Sequence, residues 1–215
     1  MAVPEEEVVV KERPILFSAS MVRAISDGRK TQTRRLVNPE PVREGKLLRW
    51  RPRRDVDINL TDHPDLAPQF SRYGVPKDRL WVREAFWNYN APKEWKGSVI
   101  YRVDSPGLTE SGGKRVVWKP GIHMPRWACR LILEVVAIRI ERLQEITPSD
   151  AVAEGLVRIN KGYRLDGYGL PGWEQSDCRF SPVDAYERVW NEINGERAPW
   201  SSNPFVWVVE FRRLS

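Results

Sequence analysis

Residues Ala128 to Leu143 read ACRLILEVVAIRIERL, a run rich in β-branched residues and long for a single strand. Its apolar alternation slips near Val136, which predicts a bulge or a strong bend at that point. Bends of this kind are common in small barrels. Working outward, TPSDAVAEGL predicts a short helix with Thr147 as cap, Pro148 in the first helical position and Gly155 as an early stop. SPVDAYERVWNEING is the clearest helix: Ser181 caps it, and Tyr186, Val189, Trp190 and Ile193 recur at helical spacing. NPFVWVVEFRR alternates Phe205, Trp207, Val209 and Phe211 with Val206, Val208 and Glu210, the pattern of a half-buried strand.

Toward the other end, Ser18 or Ser20 caps a helix that runs to about Gly28, and KTQTRRLV follows as a short extended segment. In that geometry Thr31, Thr33 and Arg35 share one face, while Gln32 and Arg34 share the other. A strand is expected at RLWVREAFW, with Leu80, Val82 and Glu84 alternating with Trp81, Arg83 and Ala85, and shorter ones at SVIYRV and KRVVWK. Residues 38–78 are rich in proline and lack periodicity, which reads as a long loop or insertion. Residues 157–181, with Gly162, Gly167, Gly169 and Gly172 among Tyr163, Tyr168 and Trp173, read as an ordered lid. Several strands, few helices and no βαβ rhythm give an α+β class: a mainly antiparallel β-barrel with short helices on its rim.

The 215 residues are expected to form one domain, 1–215, large enough for a real core. Hydrophobic residues make up 41% and charged residues 30%, which excludes a disordered tail. The net charge is +6, yet Arg23 to Arg54 holds eleven Lys or Arg against three acids, a local excess of +8. Such a field attracts anions such as nucleotides or nucleic acid, or is a solvated basic surface. Cys129 and Cys178 form no CxxC pair, and with only His63 and His123 beside them no metal-ligand cluster arises. The acidic segment Met1 to Pro14 does not read as a signal peptide, and LILEVVAI, broken by Glu134, is too short to span a bilayer. A cytoplasmic location, without cofactor or membrane partner, is the expectation.

The chemistry concentrates in DGRKTQTRRL, Asp27 to Leu36. A threonine hydroxyl is a poor nucleophile until a base takes its proton, and a lysine does that only as a neutral amine. Lys30 and Thr33 therefore form a candidate base and nucleophile if burial and the neighbouring arginines lower the lysine pKa. The other reading is a helix end followed by a solvated basic turn. Glu154, at the end of the DAVAEGL helix, is either a partner for that lysine or substrate, or a surface acid. Arg83 and Glu84 read as a structural ion pair or as substrate contacts. His123, Arg126 and Trp127 cluster in IHMPRWACR; His123 is either a general acid–base or a loop hydrogen-bonder, and a tryptophan at a pocket mouth stacks on a base.

Taken together, ILFSASMVRAISDGRKTQTRRL, KDRLWVREAF, IRIERLQEITPSDAVAEGL and NPFVWVVEFRRL resemble the ASCH-domain superfamily, most closely its larger phage and prophage members. The resemblance covers about residues 14–214, apart from loops near 38–76, 105–115 and 157–181. It implies a PUA-like β-barrel. Members of the superfamily have been tied to RNA binding, and small bacterial ones are similar to N4-acetylcytidine amidohydrolases, which release cytidine and a carboxylic acid. Their lysine, threonine and glutamate fall on Lys30, Thr33 and Glu154. The present chain is about twice as long as those enzymes. The implied activity is hydrolysis of an N4-acyl cytidine or cytosine without metal, with Arg35, Arg83, Glu84, His123, Arg126 and Trp127 as candidate substrate contacts. The competing reading is an RNA-binding module with or without ribonuclease activity.

Overall fold

The computed structural model describes residues 10–88, 99–108, 116–160, 166–174 and 176–214. In chain order its elements are β1 (Glu12–Leu16), α1 (Ala19–Ser26), β2 (Gln32–Leu36), β3 (Val42–Glu44), β4 (Leu47–Arg53), β5 (Val56–Asn59), β6 (Arg79–Arg83), β7 (Phe86–Asn88), β8 (Val99–Tyr101), β9 (Ile132–Arg142), α2 (Pro148–Ala153), β10 (Val157–Ile159), β11 (Gly167–Gly169), α3 (Pro182–Asn194) and β12 (Phe205–Arg213). The class is α+β, with mostly antiparallel strands and few helices. The main sheet has the order β1-β6-β9-β12-β2; β1 and β6 pair in parallel and the other neighbours are antiparallel.

β9 and β12 form the spine of this sheet. Glu210 pairs with Ala137 and Phe211 with Val135, so Val136 is the extra residue of a bulge, at the position where the alternation slips. Val136 is exposed, while Val135 and Ile138 on either side of it are buried.

β12 is more deeply buried than its alternation predicts. Phe205, Trp207, Val209 and Phe211 enter one core with Phe17, Leu80 and Leu133, whereas Val206 and Val208 enter a second core under α2 and α3. The sheet thus has apolar cover on both faces of its central strand, where an outward solvent face was expected.

The sheet is also curled. Four spacings of about 4.8 Å would hold the edge strands of a flat five-stranded sheet about 19 Å apart. Yet Arg35 on β2 donates from Nη2 to the Leu16 carbonyl on β1 at 2.6 Å.

Residues 38–78 are a structured insertion rather than a loop: β3, β4 and β5 make a separate antiparallel sheet, followed by a 3-10 turn at Pro64–Phe70. Trp50 explains the order, because its side chain is buried edge-on against Trp207 at 5.4 Å between ring centroids and its indole donates to the Pro39 carbonyl. The strand expected over RLWVREAFW breaks after Arg83 and resumes as β7, which pairs with β8. KRVVWK is not a strand in its described part; only Lys119 bridges to Phe86, and residues 114–115 lie outside the described residues.

The three α-helices begin where their caps predict. Ser18, Thr147 and Ser181 each accept a backbone N–H from the first turn. Within 157–181, β10 and β11 pair as a hairpin, and Tyr168, Leu170 and Trp173 pack against the core under α3. Gly162 and Tyr163 lie outside the described residues.

Candidate active site

The turn after α1 delivers Lys30 into the protein. Gly28, at φ +73°, ends the helix, and the Arg29 and Lys30 amides both donate to the Ala24 carbonyl. The chain then passes beside the end of α2: Lys30 bridges Glu154, and Thr31 donates to the Ala153 carbonyl at 2.9 Å. Gly155 makes the approach feasible. Its φ of +104° is a left-handed conformation, and a Cβ there would meet the Lys30 Cβ at 3.3 Å.

Lys30 is only 2% exposed, and its Nζ donates to the Glu154 Oε2 at 2.5 Å and to the Glu154 carbonyl at 2.9 Å. Burial pushes its pKa below the ordinary lysine value; Glu154 opposes that shift, while the charges of Arg35 and Arg34 reinforce it. A neutral amine has two N–H groups and one lone pair. The two acceptors on Glu154 take both hydrogens and leave the lone pair free to accept a proton.

Glu154 is held from its other side by Arg34. This guanidinium, fully buried in its side chain, reaches Glu154 Oε1 at 3.4 Å, Glu141 Oε1 at 2.6 Å and Asp150 Oδ2 at 3.2 Å, and donates to Gln32 Oε1 at 2.7 Å. Gln32 returns its amide to Asp150 and Glu210, and Arg139 pairs with Glu141 and Glu210. Every charge in this layer therefore has an opposite neighbour, which is the condition for burying it. The Tyr186 phenol, on α3, also sits against Glu154; burial first, and then the Glu154 charge, hold it well above the usual tyrosine value.

Strand alternation turns Thr33 the other way from Arg34, opposite Val209, and buries it to 2% exposure. Lys30, Thr33, Arg34, Arg35, Glu154 and Tyr186 nevertheless line one cleft of about 1620 Å³. The Phe17 ring lies in its wall, 6.0 Å from Lys30 Nζ and 5.2 Å from the Arg35 guanidinium carbon. Thr33 and Lys30 share the cleft without a hydrogen bond between them, a separation that free active sites often show before a substrate tightens them.

Of the other sequence candidates, Arg35 and Arg83 line the cleft. Glu84 does not: it is 1% exposed and forms a bidentate pair with Arg130, at 2.9 and 3.1 Å, so it sits in a structural ion pair, though with Arg130 and not with the neighbouring Arg83. His123 is exposed, Arg126 pairs with Glu12 at 2.8 Å and Trp127 packs beside Phe86, Met124 and Ala128; none of the three lines the cleft. Sequence reading missed Gln32, Glu141, Asp150 and Tyr186, and placed Arg34 only among the arginines that lower the Lys30 pKa, which it does. The signal was present in part: Gln32 and Arg34 fall on one strand face, and an arginine pointing into a sheet needs acids, which Glu141 of β9 and Asp150 of α2 help supply. Among the described residues no three His, Cys, Asp or Glu side chains are grouped to hold a metal, and no helix is long and apolar enough to cross a membrane.

Comparison of the chain with family models, with curated proteins and with solved structures gave no match in any of the three.

Proposed function

We propose that the protein is an amidohydrolase that cleaves the N4-acyl amide of an acylated cytidine or cytosine, with Lys30 as general base, Thr33 as nucleophile or positioner of the attacking water, and Glu154 as the group that holds Lys30. The observation that carries this reading is the buried Lys30–Glu154 pair opening on a cleft that Thr33 also lines. Its support from sequence is the resemblance to ASCH proteins, and the curl that brings β1 and β2 within one arginine's reach is what a PUA-like barrel requires.

In the proposed reaction Lys30 takes the proton from the Thr33 hydroxyl as Oγ1 attacks the acyl carbon. The ammonium so formed lies near the developing oxyanion and stabilises it. The carbon–nitrogen bond then breaks as the charge developing on the exocyclic nitrogen spreads into the ring, and Lys30 returns its proton to that nitrogen, so that cytosine leaves neutral. Water, deprotonated by Lys30 in turn, releases the acyl group from Thr33 as a carboxylate. If water attacks directly, the same lysine serves and no ester forms. Tyr186, protonated at all ordinary pH, is placed to donate rather than accept.

The test is ultraviolet-monitored hydrolysis of N4-acetylcytidine and a bulkier N4-acyl analogue by chelator-treated protein. Turnover that Lys30→Ala and Thr33→Ala both lose supports the reading; an active Lys30→Ala variant that remains folded removes the proposed base. Intact-mass detection of an acyl adduct that Thr33→Ala lacks separates the threonine route from the water route. The RNA-binding reading draws on a separate feature, the β3–β5 sheet, where Arg43 and Arg54 are exposed. It gains if neither amide is hydrolysed and RNA affinity falls steeply with salt.

A further inference from the structure

The cleft holds more positive charge than the chemistry of Lys30, Thr33 and Glu154 uses. Its acids are already engaged: Glu154 by Lys30 and Arg34, Glu40 by Arg142, and Glu192 by Arg188. Arg35, Arg72 and Arg83 stand on the same walls, and none of them has a carboxylate partner among the described residues.

The fold groups these three. Leu16, whose carbonyl accepts Arg35 Nη2, is paired in register with Arg83, and Phe17, which carries Arg35 over its ring, donates its amide to the Arg83 carbonyl at 3.1 Å. Arg72 adjoins from the neighbouring segment: the buried Tyr73 phenol, raised by desolvation, is pulled back down by both Arg35 and Arg72. The Nε atoms of Arg35 and Arg83 are buried and meet no acceptor in the protein, as is true of Arg13, Arg34 and Arg49, but among these only Arg34, Arg35 and Arg83 line the cleft, and Arg34 alone of the three is held by carboxylates among the described residues. Buried donors of this kind are costly unless an acceptor reaches them, and guanidinium forks match the oxygens of a phosphoryl group. A neutral nucleoside offers no such partner. Phe17 is approached by Lys30 at 6.0 Å and by Arg35 at 5.2 Å, so a single ring separates the candidate base from the first of the arginines.

We infer that Arg35 and Arg83, assisted by Arg72, form a phosphoryl-binding subsite, so that the cleft takes a phosphorylated cytosine nucleoside in preference to the free nucleoside. This deepens the amidohydrolase reading and rests on it only for what happens at Lys30; anion capture is independent of turnover.

Calorimetric titration of the full chain with cytidine, cytidine 5′-monophosphate, cytidine 3′-monophosphate and a short cytidine-containing oligoribonucleotide tests the subsite without asking for hydrolysis. A monophosphate is expected to bind about tenfold or more tightly than cytidine, less so at high salt, and Arg83→Ala and Arg72→Ala should each shrink that ratio. Arg35→Lys keeps the charge but not the fork, so it should lose part of the gain; circular dichroism verifies that each variant is folded. A gain already complete with a monophosphate assigns the site to nucleotides, whereas a gain that appears only with the oligomer assigns it to an RNA residue. Equal affinity of cytidine and all three phosphorylated ligands, including no measurable binding of any at millimolar concentration, overturns the inference. So does a phosphate preference that survives unchanged in both alanine variants. Hydrolysis of a neutral acylcytidine with no phosphate preference would sink the subsite and leave the amidohydrolase standing; the reverse result would do the opposite.

Discussion

Lys30 is the residue on which the proposed chemistry turns, and its environment makes it a titration experiment. Only the neutral amine accepts a proton, so kcat/KM should rise with pH along an acid limb whose midpoint lies below the ordinary lysine value of 10.5. Glu154 opposes the downward shift, so Glu154→Gln should move that limb further toward acid while reducing the rate, which a pH–rate profile of the two proteins checks. Replacing Lys30 by Ala should lower kcat by about 10²- to 10⁴-fold, the usual contribution of a positioned general base. Stability carries the same sign: between the lowered folded value and 10.5 the unfolded chain binds a proton that the folded chain lacks, so stability rises with pH across that window. Lys30→Met should abolish that rise in urea-midpoint measurements. Arg34→Met should cost about 3–5 kcal/mol, since Glu154, Glu141 and Asp150 then lose a shared cation. That Lys30, Thr33 and Glu154 come to one cleft was legible because a local motif and a resemblance marked them. The carboxylates around Arg34 and the place of Tyr186 were not, since these groups lie on other strands and helices, and strand parity alone does not say which face is roofed.

At the scale of elements, α2 is a short helix whose task is to present Glu154 at its C-terminal end. Thr147→Ala removes the cap that accepts the Asp150 amide and should cost about 1 kcal/mol, read as a lower thermal midpoint. Gly155→Ala forces an L side chain into a left-handed conformation against Lys30, so it should cost about 1–2 kcal/mol and lower turnover as well. In β9 the bulge predicts two opposite outcomes three residues apart. Leu133→Ala empties a fully buried site and should cost about 2–5 kcal/mol, whereas Val136→Thr, on the exposed bulge, should stay within about 0.5 kcal/mol. The bulge and the caps were readable because they are written in consecutive residues. The three-stranded insertion was not: Pro39, Pro41, Pro52, Pro64 and Pro68 mask its short strands, and its order comes from Trp50 docking on Trp207, a contact between distant positions.

For the molecule as a whole, the alternation of β12 suggested one dry face, and what altered the outcome was the arrangement of α2, α3 and the β10–β11 hairpin over the other. That roof is tertiary, and no window of sequence displays it. The position of β12 between β2 and β9 has a consequence in time. Gln32 and Glu210, which touch through their side chains, are 178 positions apart, so a growing chain makes β2 long before the strand that must lie beside it exists. Until Phe205–Arg213 is synthesised, the segment bearing Lys30 and Thr33 has no ladder to join. Closing so long a span is slow, so refolding followed by tryptophan fluorescence should occupy milliseconds to seconds rather than microseconds. A chain arrested before Phe205 should expose the apolar partners of Trp207 and Val209 to chaperones. The cleft around Lys30 and Thr33 and the completed sheet are thus born in the same event, and a half-made copy carries the motif without the cleft.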